Sequence, residues 1–129
     1  MATAYWCILV AAVLPYVWYT AARAGAGRID NHDPRAGMAR LDEGPARRAN
    51  NAQYNAFEAF APFAASVLMA QFAGVDPARI GMLAIAFVVL RVLHGVFYVT
   101  GVHLLRSAAW GGALACVVWL MVQAAQHIA

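Results

Sequence analysis

Four apolar stretches alternate with polar ones along the chain, and their lengths predict its elements. Residues 4–22 form the first apolar run, interrupted only by Pro15. At about 1.5 Å per residue it is long enough to cross the roughly 30 Å hydrocarbon layer of a bilayer, so a membrane helix is expected there. A cleaved signal peptide is the competing reading, because Ala22-Arg23-Ala24 resembles a small-x-small cleavage site. The opening MATAYWC carries no basic residue and the run outlasts a signal core, which favours the helix. Pro15 removes one backbone hydrogen bond and is expected to bend that helix.

From Arg23 the pattern turns polar, and residues 23–47 read as one long loop in which Asp30, Asp33, Asp42 and Glu43 are mixed with arginines. Within it PRAGMARLDEG is expected to form a short surface helix. Apolar helices are then expected over about 48–73, 78–102 and 107–126, separated by a tight turn at Gly74-Val75-Asp76-Pro77 and a short connection through His103 and Arg106. One long and two short connections predict an all-α, up-down-up-down four-helix bundle, a single integral membrane domain over 1–129.

Composition strengthens the membrane reading. The chain is 64% hydrophobic and 12% charged, whereas soluble domains are about half apolar and about a quarter charged. All nine basic residues are arginines, six of them in the first loop among four carboxylates rather than on one basic face, which gives nucleic-acid binding little support. Six arginines between Arg23 and Arg48, with Arg106 in the third connection, oppose only Arg79 on the other side. Loops one and three are therefore expected on the cytoplasmic face of the cell membrane. Cys7 and Cys116 lie in apolar runs without metal-ligand spacing, and are read as small buried hydrophobes. Gly95, Ala108, Gly111, Gly112 and Ala115 are expected to let helices approach closely.

Polar residues inside the apolar stretches carry the candidate chemistry. Asn51, Asn55 and Glu58 follow at spacings of four and three, on one face of the second helix. Arg91, His94 and Tyr98 share a face of the third. Those helices run antiparallel, so Glu58 and Arg91 fall at similar depth and are expected to pair, directly or across a subunit boundary. With Arg48 and Arg106 these side chains converge on one half of the bundle. A pair that only fixes helix register, an interior histidine and an interface tyrosine are the bland alternatives. An ion or proton path through Glu58, Arg91 and His94 is the weakest reading, because the charges lie toward one side only.

Arg48-x-x-Asn51-Ala-Gln-x-Asn55-x-x-Glu58, followed by Pro62, resembles the Arg-x-x-Arg-Ala-Gln-x-Asn-x-x-Glu-x-x-Pro signature of the MAPEG family, the membrane-associated proteins of eicosanoid and glutathione metabolism. Arg91-Val-x-His94-x-Val-x-Tyr98 is similar to its prostaglandin E synthase branch, and Arg106 stands where the family carries an arginine before the last helix. The whole chain looks more like a bacterial-type branch than the eicosanoid enzymes. The resemblance implies a homotrimer in which glutathione lies between subunits and a lipophilic small molecule arrives from the surrounding lipids. It implies that Asn55 and Glu58 contact the peptide backbone and amino group, that Arg48, Arg91, His94 and Tyr98 line the same site, and that Arg106 stabilises the thiolate. No metal is implied. Position 51 departs from the pattern, since Asn cannot make the two-pronged carboxylate contact of the family's arginine. The expected activity is thiol conjugation or peroxide reduction of a lipophilic electrophile; the alternative is a non-catalytic membrane protein of the same architecture with Glu58 and Arg91 as structural partners.

Overall fold

A computed structural model describes all 129 residues, as five helices without strands. They are α1 (Ala2–Gly25), α2 (Pro34–Ala39), α3 (Pro45–Phe72), α4 (Pro77–Thr100) and α5 (His103–Ile128). Three of the starts have a local cause. Prolines 34, 45 and 77 occupy the first turns of α2, α3 and α4, where the missing N–H is no loss. The Asp33 carboxylate accepts from the Ala36 amide at 3.1 Å and the Asp76 carboxylate from Ala78 at 3.2 Å, capping α2 and α4. Two ends close in the same way. The amides of Val75 and Val102 reach back to the carbonyls of Ala70 and Phe97, with Gly74 and Gly101 at φ +80° and +81°. Only glycine takes that conformation without strain, so each helix stops there and the chain reverses within a few residues.

The expected surface helix forms only over Pro34–Ala39, and Met38 fixes it. Met38 is buried against Ala22 and Ala49, docking α2 across the adjoining ends of α1 and α3. The main core lies further along the bundle, where α1 packs on α3 and α4, and α3 and α4 pack on α5. Phe63 and Phe87 stack at its centre with ring centroids 3.8 Å apart, among Val67, Ile80 and Leu120, and Cys7 and Cys116 belong to the same core. At the end remote from α2, Tyr5 donates to Gln71, and Arg79 donates to the buried Gln123 at 2.7 Å. These bonds tie α1 to α3 and α4 to α5.

Three helices, α1, α4 and α5, are long and apolar enough to cross a membrane, and Trp6, Leu9, Val17, Met82, Val118 and Trp119 face outward from them. Such an apolar exterior suits lipid and not water. α3 is as long but stands outside this group, because its N-terminal half carries Arg47, Arg48, Asn50, Asn51, Gln53, Asn55 and Glu58.

The small residues divide. A Cβ on Gly95 would collide with the Trp18 indole, so α1 and α4 meet there only because position 95 has no side chain. A Cβ on Gly112 would stand 3.1 Å from Leu90. The other expected contacts on α5 are corrected: Ala108 and Ala115 are exposed, Gly111 has nothing within 4 Å of its would-be Cβ, and Ala109 and Ala113 pack inward in their place. Gly95→Val is expected to cost about 1–3 kcal/mol through overpacking, read as a lower melting temperature in detergent, and Trp18→Ala should restore part of it. Unchanged melting of the single variant would contradict the α1–α4 contact.

Candidate functional site

The face of α3 that carries Asn55 meets α4, and there polar side chains from the two helices come together. Arg91, 3% exposed, donates from Nη2 to Asn55 Oδ1 at 2.7 Å. The Asn55 amide donates to Glu58 Oε2 at 3.5 Å, the long limit of a hydrogen bond. The expected direct pairing of Glu58 with Arg91 within one chain is therefore corrected. Asn55 lies one turn nearer the start of α3 and takes the guanidinium first, leaving Glu58 joined to Arg91 through an amide. The only ion pair in the chain is Arg47–Glu43 on the exposed start of α3. Glu58 is exposed on the outside of the bundle about halfway along its helix and forms no ion pair.

A cavity of about 150 Å³ opens against this chain of groups. Asn55, Glu58 and Arg91 form its polar rim; Ala59, Pro62, Phe87, Trp110, Ala113, Leu114 and Val117 form an apolar floor. The α5 contribution was not read from the sequence, although Trp110, Leu114 and Val117 at i, i+4 and i+7 share a helical face and could have been found by that period.

The other expected site residues gather nearer the α4–α5 turn. Arg106 places its guanidinium 4.6 Å from the centre of the Tyr98 ring, a cation–π contact. His94, 3% exposed, packs edge-to-face against the same ring at 5.5 Å and makes no hydrogen bond. Arg48 donates from Nε to the Val99 carbonyl at 2.9 Å, satisfying one of the acceptors that the end of α4 leaves open. Asn51 is half-buried and forms no hydrogen bond. Arg48, Asn51, His94, Tyr98 and Arg106 thus do not line the cavity. Two of them lead to it: Asn51 is one turn from Asn55 on α3, and Arg106 is one turn from Trp110 on α5.

The arrangement offers an acceptor at Glu58 and an amide at Asn55 over an apolar floor, with a cation held on an aromatic ring at Arg106 nearer the α4–α5 turn. A ligand in the cavity would meet the Glu58 carboxylate, the Asn55 amide and the Arg91 guanidinium at its rim and apolar side chains beneath. The model of the MAPEG family matches residues 3–126 of the chain. No curated protein and no solved structure matches it.

Proposed function

The chain belongs to the MAPEG family, and on that premise we propose that it is a membrane thiol transferase or peroxidase. It binds glutathione along the α3–α5 groove and delivers the thiolate to a lipophilic electrophile from the bilayer. The family holds glutathione-dependent transferases and peroxidases as well as non-catalytic members. The observation that carries the reading is the Arg91–Asn55–Glu58 chain of hydrogen bonds ending in an exposed, unpaired carboxylate at the mouth of an apolar cavity. A carboxylate at membrane depth without a partner is costly. An ammonium group on a bound peptide removes that cost.

The cavity of about 150 Å³ is smaller than the roughly 300–1,000 Å³ of small-molecule sites. A neighbouring copy laid over the outer face of α3 would enlarge it, cover Glu58 and turn the polar half of α3 inward. A homotrimer with four spans per chain meets that need, with the arginine-rich loop on the cytoplasmic side of the cell membrane. In this arrangement Glu58 and Asn55 hold the amino end of the peptide, and Arg91 keeps Asn55 oriented. Arg106, steadied by Tyr98 and His94, faces the thiol. A fixed guanidinium favours the ionised sulfur over a free thiol with a pKa of about 8.5. Asn51 and Arg48 stand near the carboxylate end.

A second reading is supported by Asn51 itself. With no arginine at that position and Nε of Arg48 committed to the Val99 carbonyl, the carboxylate end of glutathione has a weaker clamp than in the family pattern, as a non-catalytic member would. Conjugation of glutathione to 1-chloro-2,4-dinitrobenzene by the purified protein in liposomes decides between them. Turnover that falls at least about tenfold in Glu58→Gln, the loss of one charged contact, is expected; no turnover above the uncatalysed reaction would favour the non-catalytic reading.

A further inference from the structure

Residues 27–44 cross the arginine-rich end of the bundle as a strap, and few bonds hold them down. No backbone hydrogen bond joins residues 27–43 to α1, α3, α4 or α5. One side-chain bond, from Arg23 Nη2 to Asn31 Oδ1 at 2.9 Å, reaches the strap from α1, and the exposed Arg47–Glu43 pair reaches it from α3. Gly27 at φ +69° and Gly44 at φ +158° flank it, and nothing lies within 4 Å of a Cβ built on either, so both ends are free to turn. The remaining bonds are local: the amides of Gly37, Arg40 and Leu41 return to the carbonyls of Asp33, Gly37 and Met38.

Met38 is the only buried residue of α2, at 3% exposure. It rests on Ala22 and Ala49, with Tyr19, Ile29, Leu41 and Val99 packed around them, in a small cluster separate from the core that holds Phe63 and Phe87. A segment with so few buried contacts opens locally far more often than the core does. From these contacts we propose that residues 27–44 are a redox-sensitive latch: α2 lifts from the bundle as a unit, and oxidation of Met38 by a hydroperoxide keeps it lifted. The reduced thioether is a polarizable hydrophobe that suits an apolar seat. When α2 lifts, the sulfur lone pair attacks the hydroxyl oxygen of the hydroperoxide. An S–O bond forms as the O–O bond breaks, the sulfur loses two electrons, and the proton on the transferred oxygen passes to the departing alkoxide, which leaves as an alcohol. The sulfoxide that results is polar. The side chains of Ala22 and Ala49 give its oxygen no donor, so returning it to the seat would bury an unpaired acceptor. Val99 packs against the same seat and its carbonyl accepts from Arg48 Nε at 2.9 Å, so release is felt where α3 meets the end of α4. The latch needs the hydroperoxide only as oxidant and stands whether or not the chain turns over glutathione.

Hydrogen exchange of the full-length protein in detergent, read by mass spectrometry before and after treatment with tert-butyl hydroperoxide, tests the proposal. Peptide masses show which methionines have gained an oxygen, since Met69 and Met82 are exposed and oxidise as well. One added oxygen on Met38 is expected, with at least about tenfold faster exchange across residues 34–41 and none gained around Phe63 and Phe87. Met38→Leu keeps the volume without an oxidisable sulfur, so its exchange should match the untreated parent before and after peroxide. Met38→Gln carries a polar amide into the seat and should exchange quickly with no peroxide at all. A Met38 that resists oxidation while Met69 and Met82 are converted, an oxidised Met38 with unchanged exchange, or equal acceleration in Met38→Leu would overturn the latch.

Discussion

Arg91→Leu is expected to be destabilised by about 2–3 kcal/mol, seen as a lower thermal midpoint in detergent. The side chain is buried and its Nη2 holds Asn55 at 2.7 Å. Removing it leaves the Asn55 carbonyl without a donor and Glu58 with no cation in its vicinity. A hydrogen bond to a charged group contributes roughly 1.5–3 kcal/mol, and an acceptor left unpaired adds its desolvation cost. Lysine should rescue only in part, since one ammonium cannot reproduce the planar geometry of the guanidinium. Adding Asn55→Leu to Arg91→Leu should recover some of the loss by removing the stranded amide. Parental stability in Arg91→Leu would mean that the polar chain across α3 and α4 is not made.

The second large effect concerns Arg106. In a thiol-conjugation assay Arg106→Ala is expected to lower kcat/KM about 100-fold at neutral pH, the scale of losing one fixed donor to a developing anion. The deficit should shrink as pH rises past the free thiol's pKa of about 8.5, because bulk hydroxide then supplies the ionisation that the guanidinium favours. Tyr98→Phe keeps the ring 4.6 Å beneath the guanidinium and should cost little, whereas Tyr98→Ala should approach the Arg106→Ala rate. A deficit of the same size at every pH would assign Arg106 to substrate binding and not to the thiolate.

The helices were legible because hydrophobic runs, proline and glycine act locally. Pro45 shows the limit: apolar periodicity begins the helix near residue 48, but proline at the first turn lets it start earlier, in polar sequence. The candidate site was legible as a set of residues and less so as a set of contacts. Counting positions from the helix ends placed Glu58 and Arg91 at similar depth. Depth does not fix rotation about the helix axis, and rotation put Asn55 between them. Arg48 was harder still, since its partner is the backbone carbonyl of Val99, and any residue at that position would offer the same acceptor. The apolar floor from α5 was not found because it depends on which faces of helices distant in sequence are turned together.

The central claim is that the groove rimmed by Asn55, Glu58 and Arg91 holds a thiol peptide between copies of the chain. Native mass spectrometry of the purified protein with millimolar glutathione tests it most directly. The account expects a trimer of the 13.8 kDa chain carrying glutathione, with the peptide lost in Glu58→Gln and bound more tightly in Asn51→Arg. A monomer, or a trimer that takes up no glutathione at that concentration in either the parent or Asn51→Arg, would contradict it.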